Sequence, residues 1–271
     1  MDLLLQNITS KSNPKIVRVA KYAEKKYRDS DGVFVCEGLK LLEEAVLANA
    51  NIREIYIDSG AEEKWRSKLS RLLAHCANVN CYRISGELYR KISGENSPQG
   101  ILAVIDMPSN IRHVSASKPD PLETVMMFES VRDPGNMGTL IRTAAAFGFD
   151  RLILSADCAD VFNPKVLRGA MGAIFKIKVD YCEDLISTVN FLNQSGRRTM
   201  AALPKEKAAV AGRDTLYSTD CVVIGNEGHG LSENIIAACS DAVYIPMMEN
   251  TESLNAAIAS SILMWEIAKI K

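Results

Sequence analysis

The sequence predicts an α/β protein of two domains, the larger one built on a mostly parallel sheet and the smaller preceding it. Three observations carry this expectation. Short apolar runs alternate twice along the chain with amphipathic helical stretches. A segment with three prolines and no apolar periodicity, residues 106–121, separates the two series. A chain of 271 residues, 47% apolar and 24% charged, carries enough material for two cores.

The elements follow in order. Residues 13–28 form a basic helix, with Ser12 or Asn13 as its cap and Pro14 in its first turn. A strand at 33–36 leads into a helix over 37–48, with Leu39, Leu42, Val46 and Leu47 on one face. Then come a strand at 55–57, a helix at 61–75, a strand at 79–84, a short helix at 86–92 and a buried strand at 100–105. This divides the first part into a basic helical arm (1–30), a small α/β domain (31–106) and a linker (107–121).

The second series fills 122–271. It has a strand at 124–128, then a helix at 136–147 closed by Gly148. A strand at 152–154, a helix at 163–170, a strand at 175–179 and a helix at 183–194 follow. Strands at 199–202 and 221–224, a helix at 232–239, a strand at 242–245 and a terminal helix at 254–269 complete it. Strands joined by helices imply a mostly parallel sheet covered on both faces.

Composition narrows the class. No apolar run approaches the ~20 residues of a membrane-spanning helix. The opening residues lack a basic region and a small-residue cleavage site, so no signal peptide is expected and the cytoplasm is the expected location. The seven cysteines include no CxxC pair and there are only three histidines, so no metal is expected and the thiols read as reduced and buried. Net charge is −1, but residues 1–30 carry seven Lys/Arg against three acids, a net +4 that leaves −5 for the remainder. Such an arm is either a solvated helix face or a phosphate-contacting one.

Three short segments carry the candidate chemistry. The first, residues 128–149, runs from a strand through Asp133-Pro134-Gly135 into a helix with Asn136 as its cap. A capped βα turn explains these residues, but not Arg142, which sits among Leu140, Ile141 and Ala144 and suits a phosphate ligand. In the second, residues 222–232, a buried strand enters Gly225-Asn226-Glu227-Gly228-His229-Gly230. The glycines permit tight turns and close ligand approach, but the spacing is GxxGxG, not the dinucleotide fingerprint. The third, residues 243–268, ends a strand at Ile245-Pro246. It then crosses a loop to Ser253-Leu254-Asn255 and starts a helix rich in small residues, for which Ser253 or Asn255 can cap. Taken singly, each is accounted for by ordinary structure: a turn, a glycine bend, a terminal helix.

In this order the segments resemble the three motifs of the SpoU (TrmH) family of RNA 2′-O-ribose methyltransferases, within the SPOUT superfamily. The matching residues are Asp133 to Gly138 with Arg142, Gly225 to Leu231, and Ile245-Pro246-Met247 with Ser253-Leu254-Asn255. Val33 to Gly38 and Pro98-Gln99-Gly100 look like that family's N-terminal substrate-binding domain, which is similar to the ribosomal L30e and L7Ae folds; Asn13-Pro14-Lys15 resembles the stretch that often precedes it. Asn226 and His229 fill variable positions, and the 248–252 stretch is larger than in many relatives.

The resemblance implies a C-terminal SPOUT domain whose mostly parallel sheet holds a deep trefoil knot. It implies S-adenosylmethionine as cofactor, held by Gly225, Ile245 and Leu254, with Leu203 and Met247 beside them. It implies a catalytic set of Arg142, Asn136, Glu227, Ser253 and Asn255. The substrate is expected to be structured RNA, ribosomal ahead of transfer, and the protein a homodimer through the knot region. His229 is expected to be a surface turn residue. The competing reading is a catalytically inactive RNA-binding or ribosome-assembly protein of the same fold. A doubly wound nucleotide-cofactor enzyme is disfavoured by the absence of a glycine fingerprint after the first strand.

Overall fold

The computed structural model describes residues 4–76, 79–204, 209–210, 216–226, 228–248 and 253–269. The chain separates into two compact units. One is Met1–Pro108 with Phe162–Phe175, and the other is Ser109–Val161 with Lys176–Lys271.

The first unit contains β1 (Leu5–Ile8), α1 (Pro14–Lys21), α2 (Lys25–Asp31), β2 (Val33–Glu37), α3 (Leu39–Leu47), β3 (Ile52–Asp58), α4 (Glu62–Leu72), β4 (Asn80–Ile84), α5 (Gly86–Ile92) and β5 (Ile101–Asp106). Its sheet has the order β1-β4-β3-β5-β2, with β1, β4 and β3 parallel and β5 antiparallel to both its neighbours. The basic stretch is two helices, not one. α1 is capped by Asn13, whose side chain accepts from Lys15 N at 2.9 Å. It stops at Tyr22, and α2 ends on Gly32 in the left-handed region at φ +64°. Nor is the arm an appendage. Ile16, Val19 and Tyr22 are buried in the same cluster as Val33, Tyr56, Tyr82 and Tyr89, and β1, not foreseen from the apolar pattern, adds an edge strand to the sheet.

Glu37 joins the two stretches that resemble the substrate-binding domain. Its carboxylate accepts from Gln99 N at 2.7 Å, Ser93 Oγ at 2.6 Å and Tyr89 O–H at 3.0 Å. Gly38 and Gly100 flank this knot of hydrogen bonds at φ +101° and +80°, and a Cβ on either would strike a neighbour at 2.5 Å. The segment Phe162–Phe175, with α7 (Pro164–Ala170), folds into this unit although it lies in the later part of the chain. Phe162 packs on Phe34 at 4.8 Å between ring centroids, and Arg168 pairs with Glu95.

The second unit contains β6 (Ile111–Val114), β7 (Val125–Phe128), α6 (Pro134–Ala146), β8 (Arg151–Ser155), β9 (Lys178–Cys182), α8 (Leu185–Gln194), β10 (Thr199–Ala202), β11 (Ala209–Val210), β12 (Cys221–Ile224), α9 (Glu233–Ala238), β13 (Asp241–Tyr244) and α10 (Ala256–Ala268). All eight strands are parallel, in the order β11-β13-β10-β12-β7-β8-β9-β6. The central strands β7 and β12 are buried at every position, as a sheet covered on both faces requires.

The proline-containing stretch 107–121 is not a loose tether. β6 pairs with β9, and Ser117 is buried with its N–H donating to Thr188 Oγ1 at 2.9 Å. An ion network fixes it. Fully buried Asp180 accepts two hydrogen bonds from Arg112 at 2.9 Å, one from Arg151 at 2.7 Å and one from Ser117 Oγ at 2.5 Å. Arg151 also grips Glu123, which Lys178 reaches at 2.5 Å. Burial alone would raise the Glu123 carboxyl, but the bonds from Arg151 and Lys178 overcome it and hold it at about 2. Among the described residues no helix is long and apolar enough to cross a membrane, and no group of His, Cys, Asp or Glu is placed to hold a metal ion.

Asp180→Asn leaves two arginines facing one neutral amide, so it should cost about 3–5 kcal/mol in a urea denaturation series; an unchanged midpoint would remove the network from the account of stability. Glu123 predicts acid sensitivity. Its folded-state carboxyl lies below its ordinary 4.5, so its contribution is complete above that value and is lost as pH falls toward about 2. Glu123→Gln should flatten stability against pH across that window.

Candidate active site

The site is set by where four adjacent strands stop. β7, β12, β10 and β13 run parallel and in register, Phe128 beside Ile224, Val223 beside Ala201, and Ala202 beside Val243. Glu129, Gly225, Leu203 and Ile245 are therefore the next residues along one edge, the carboxyl ends of the strands, where open α/β sheets bind ligands. Leu203 N donates to Val243 O at 2.9 Å and Glu129 N to Ile224 O at 2.9 Å, so each exit is tied to its neighbour.

The turn after Gly225 is closed on itself. Asn226 and Gly230 exchange main-chain hydrogen bonds at 3.1 and 2.9 Å, and Gly230 lies at φ +69°. A Cβ on Gly225 would lie 2.2–2.4 Å from the main chain of Gly230 and Leu231, so only glycine fits. Asn226, which fills a variable motif position, is the centre of the turn. Its Oδ1 accepts from Gly228 N at 2.8 Å and His229 N at 3.3 Å, and its Nδ2 donates to Ser130 O at 2.8 Å. That last bond ties the second segment to the first. Glu129 adds a tie by accepting from both Ser232 N and Ser232 Oγ, at 2.8 and 2.7 Å, at the cap of α9.

Ser130 is in the left-handed region at φ +57°, held from both sides. Its N–H donates to Ser155 Oγ at 2.8 Å and its hydroxyl to Asp157 at 2.7 Å, while Arg132 reaches the same Asp157 oxygen at 2.6 Å. Burial would raise the Asp157 carboxyl, but hydrogen bonds from Ser155, Arg132 and Ser130 outweigh it and hold it at about 2.

Helix α6 starts two residues earlier than its sequence implies. Asp133, not Asn136, is its cap, with Oδ1 accepting from Asn136 N at 2.8 Å and Pro134 at the first helical position, where its fixed φ suits the helix. Asn136 is thereby released from capping, and its Oδ1 accepts from Asn255 Nδ2 at 3.1 Å. Asn255 itself caps α10, accepting from Ala257 N and Ile258 N at 2.9 and 3.3 Å. This amide pair ties the first segment to the third, and Thr143 meets Ser261 at 3.5 Å where the two helices pack.

The expected cofactor residues Gly225, Leu203 and Ile245 share the edge; Met247 and Leu254 are half-buried on either side of residues 249–252, which lie outside the described residues. Among the expected catalytic residues, Asn136 and Asn255 are in contact, and Ser253 is exposed just before the α10 cap. Glu227 lies outside the described residues. Arg142 is exposed, six residues along α6 from Asn136 and so about 9 Å further along its axis. His229 is an exposed turn residue. The residues missed by sequence reasoning are Glu129, Ser130 and Asp157, which bind the loops together. A polar residue at the end of a buried strand was their one visible signal.

A parallel α/β domain with three cross-tied loops on one strand edge is the class this geometry defines. Comparison with known proteins makes it specific. Residues 123–265 match the SpoU rRNA Methylase family and residues 13–103 the MRM3-like substrate binding domain. The chain belongs to the SpoU rRNA methylase family. It is 31% identical to the 23S rRNA (guanosine(2553)-2′-O)-methyltransferase RlmP of Bacillus subtilis, over 97% of this chain and 99% of that one. It is 30% identical to an uncharacterized tRNA/rRNA methyltransferase of Synechocystis, over 97% and 93%. Its fold matches that of an AdoMet-bound rRNA methyltransferase from Sinorhizobium meliloti, with a TM-score of 0.80 over 98% of each chain at 24% identity.

The three glycines of the turn should separate on substitution. Gly225→Ala forces main chain apart and should cost several kcal/mol. Gly230→Ala carries only the left-handed penalty of about 1–2 kcal/mol. Gly228→Ala, whose Cβ would lie 3.3 Å from the Asn226 side chain, should be nearly neutral. Denaturation midpoints of the three variants test that order, and equal losses would contradict it.

Proposed function

We propose that the protein transfers the methyl group of S-adenosylmethionine to a ribose 2′-OH of ribosomal RNA, in the cytoplasm and as a homodimer. The observation that carries this reading is the convergence of the three motif segments on one strand edge, through Asn226 to Ser130 and Asn255 to Asn136. The Bacillus relative, named for a 23S rRNA guanosine 2′-O position and aligned over its whole length, favours ribosomal over transfer RNA.

The edge suits a nucleoside cofactor. Leu203, Ile245, Met247 and Leu254 are half-buried and give apolar surface for a base, while the main chain of Gly230 and Leu231 packs directly on Gly225 because that residue carries no Cβ. S-adenosylmethionine supplies an electrophilic sulfonium methyl when bound. What the chain must add is a positioned 2′-OH and stabilisation of the charge that grows on its oxygen. A guanidinium offers a planar fork of N–H donors and no acceptor, so the role of Arg142 is to grip the neighbouring phosphate and stabilise that charge, not to abstract a proton. Asn136 and Asn255, already fixed against each other, orient the ribose, and Ser253 and Glu227 complete the proposed catalytic set. The trefoil knot belongs to this reading. β12 lies between β10 and β7, both laid down earlier in the chain.

The dimer rests on α10. One side buries Ala256, Ala257, Ser260, Leu263, Met264 and Ile267, and the opposite stripe leaves Ile258 and Trp265 54% and 52% exposed. A helix apolar on all sides is covered on all sides, and a second copy is the cover that a homodimer supplies. The seven cysteines are all free, which agrees with a reducing compartment.

Arg142→Ala should lower methyl transfer to ribosomal RNA by about 10²–10³-fold while calorimetric S-adenosylmethionine affinity holds. Undiminished turnover would take Arg142 out of the mechanism, and a wild-type protein that adds no 2′-O-methyl group to rRNA would overturn the function. Trp265→Glu should shift sedimentation from dimer to monomer.

A further inference from the structure

The basic arm is less basic than its composition. Lys11 pairs with Glu87, Lys15 with Glu54 at 2.7 Å, Arg18 with Asp31 at 3.1 Å, Lys25 with Asp29 at 3.1 Å and Lys26 with Glu24 at 2.9 Å. Arg28 is buried and donates to Tyr22 O and Ala23 O. Lys21 alone of the seven has neither an acidic partner nor burial among the described residues.

Lys21 stands on a cleft of about 400 Å³ between α1 and α2, within the range of pockets that hold small ligands. Pro14 and Val17, the latter 37% exposed, give the cleft an apolar face. Tyr27 holds the ammonium group of Lys21 at 5.3 Å from its ring centre, which displays that cation at the rim. The one carboxylate in the lining, Asp31, is already engaged. Arg18 Nε bonds to it, and Tyr22 O–H donates to it at 2.6 Å. Its charge is therefore neutralised locally and does not repel an anion. The cleft lies inside the stretch that matches a substrate-binding domain, which begins at the α1 cap residue.

We propose that this cleft seats one unstacked nucleotide of the RNA substrate, its base against Val17 and Pro14 and its phosphate at Lys21. An apolar face beside a cationic rim is the chemistry by which a single nucleotide is held without sequence readout. The inference rests on the RNA methyltransferase reading above and adds the arm to the substrate contacts.

The test uses the full chain, a 23S rRNA transcript and S-adenosylmethionine. Lys21→Ala should weaken RNA binding by about three- to tenfold and lower the slope of log affinity against log salt by about one. Val17→Asp should weaken binding comparably. For both variants, S-adenosylmethionine affinity and the maximal rate at saturating RNA should stay at wild-type values, with circular dichroism reporting an intact fold. RNA affinity and salt slope unchanged in both variants, beside normal wild-type methylation, would overturn the cleft and leave the functional reading standing. A wild-type protein that neither binds nor methylates the transcript would overturn both. Poly-glutamate that competes at the cleft as well as single-stranded RNA of equal charge would reassign it to an acidic peptide and overturn the proposal.

Discussion

Four parallel strands that stop in register leave their exits on one edge, and the active-site geometry depends on that alignment. Main-chain pairing of β13, β10, β12 and β7 brings Ile245, Leu203, Gly225 and Glu129 to neighbouring positions, although 116 residues separate the last from the first. Pairing alone would leave four loops free to wander. Side-chain amides and one carboxylate prevent this. Asn226 bonds to the glycine turn and to Ser130, Asn255 bonds to Asn136, and Glu129 caps α9. Each tie satisfies groups that would otherwise be unpaired near a partly buried edge, where an unmade hydrogen bond costs about 1–3 kcal/mol. The candidate site is thus preorganised by the same bonds that complete the fold.

Charge is distributed differently at the two edges of this sheet. At the carboxyl ends, Arg132 is paired with Asp157 and stays largely exposed, and Arg142 is exposed further along α6. Near the other end, Asp180 and Glu123 are enclosed by Arg112, Arg151 and Lys178, which locks β6 and the stretch around it to β9. The first unit repeats the pattern in small. Most arm cations are spent on acids of the same unit, Glu37 is spent on the loop that carries Gln99, and a single lysine faces the cleft.

Much of this was legible in the residues. Period-two and period-3.6 apolar patterns placed the principal strands and helices of both units, because burial on a sheet or a helix face is a local constraint. A cap at Ser12 or Asn13, Gly148 as a helix end and a glycine turn beginning at Gly225 followed from backbone rules. Other features were hidden. β1 and β6 are four-residue edge strands with half-exposed patterns, recognisable only through their partners β4 and β9. Asn136 looked like a cap because both Asp133 and Asn136 are good ones; the proline at 134 decides for Asp133. Phe162–Phe175 reads as an ordinary crossover in sequence, and only its contacts with Phe34 and Glu95 assign it to the first unit.

The sequence by itself determined the class of elements, the order of three motif segments and the types of residue they carry, since these depend on neighbours along the chain. The tertiary structure decided what those residues do for one another. Asn226 has the look of a variable turn residue until β12 and β7 lie side by side and bring its amide to Ser130. Asn136 and Asn255 are 119 positions apart and meet only because α10 packs on α6. Hydrogen bonds act over about 3 Å, and which distant residues come that close is fixed by strand order, which no local pattern encodes.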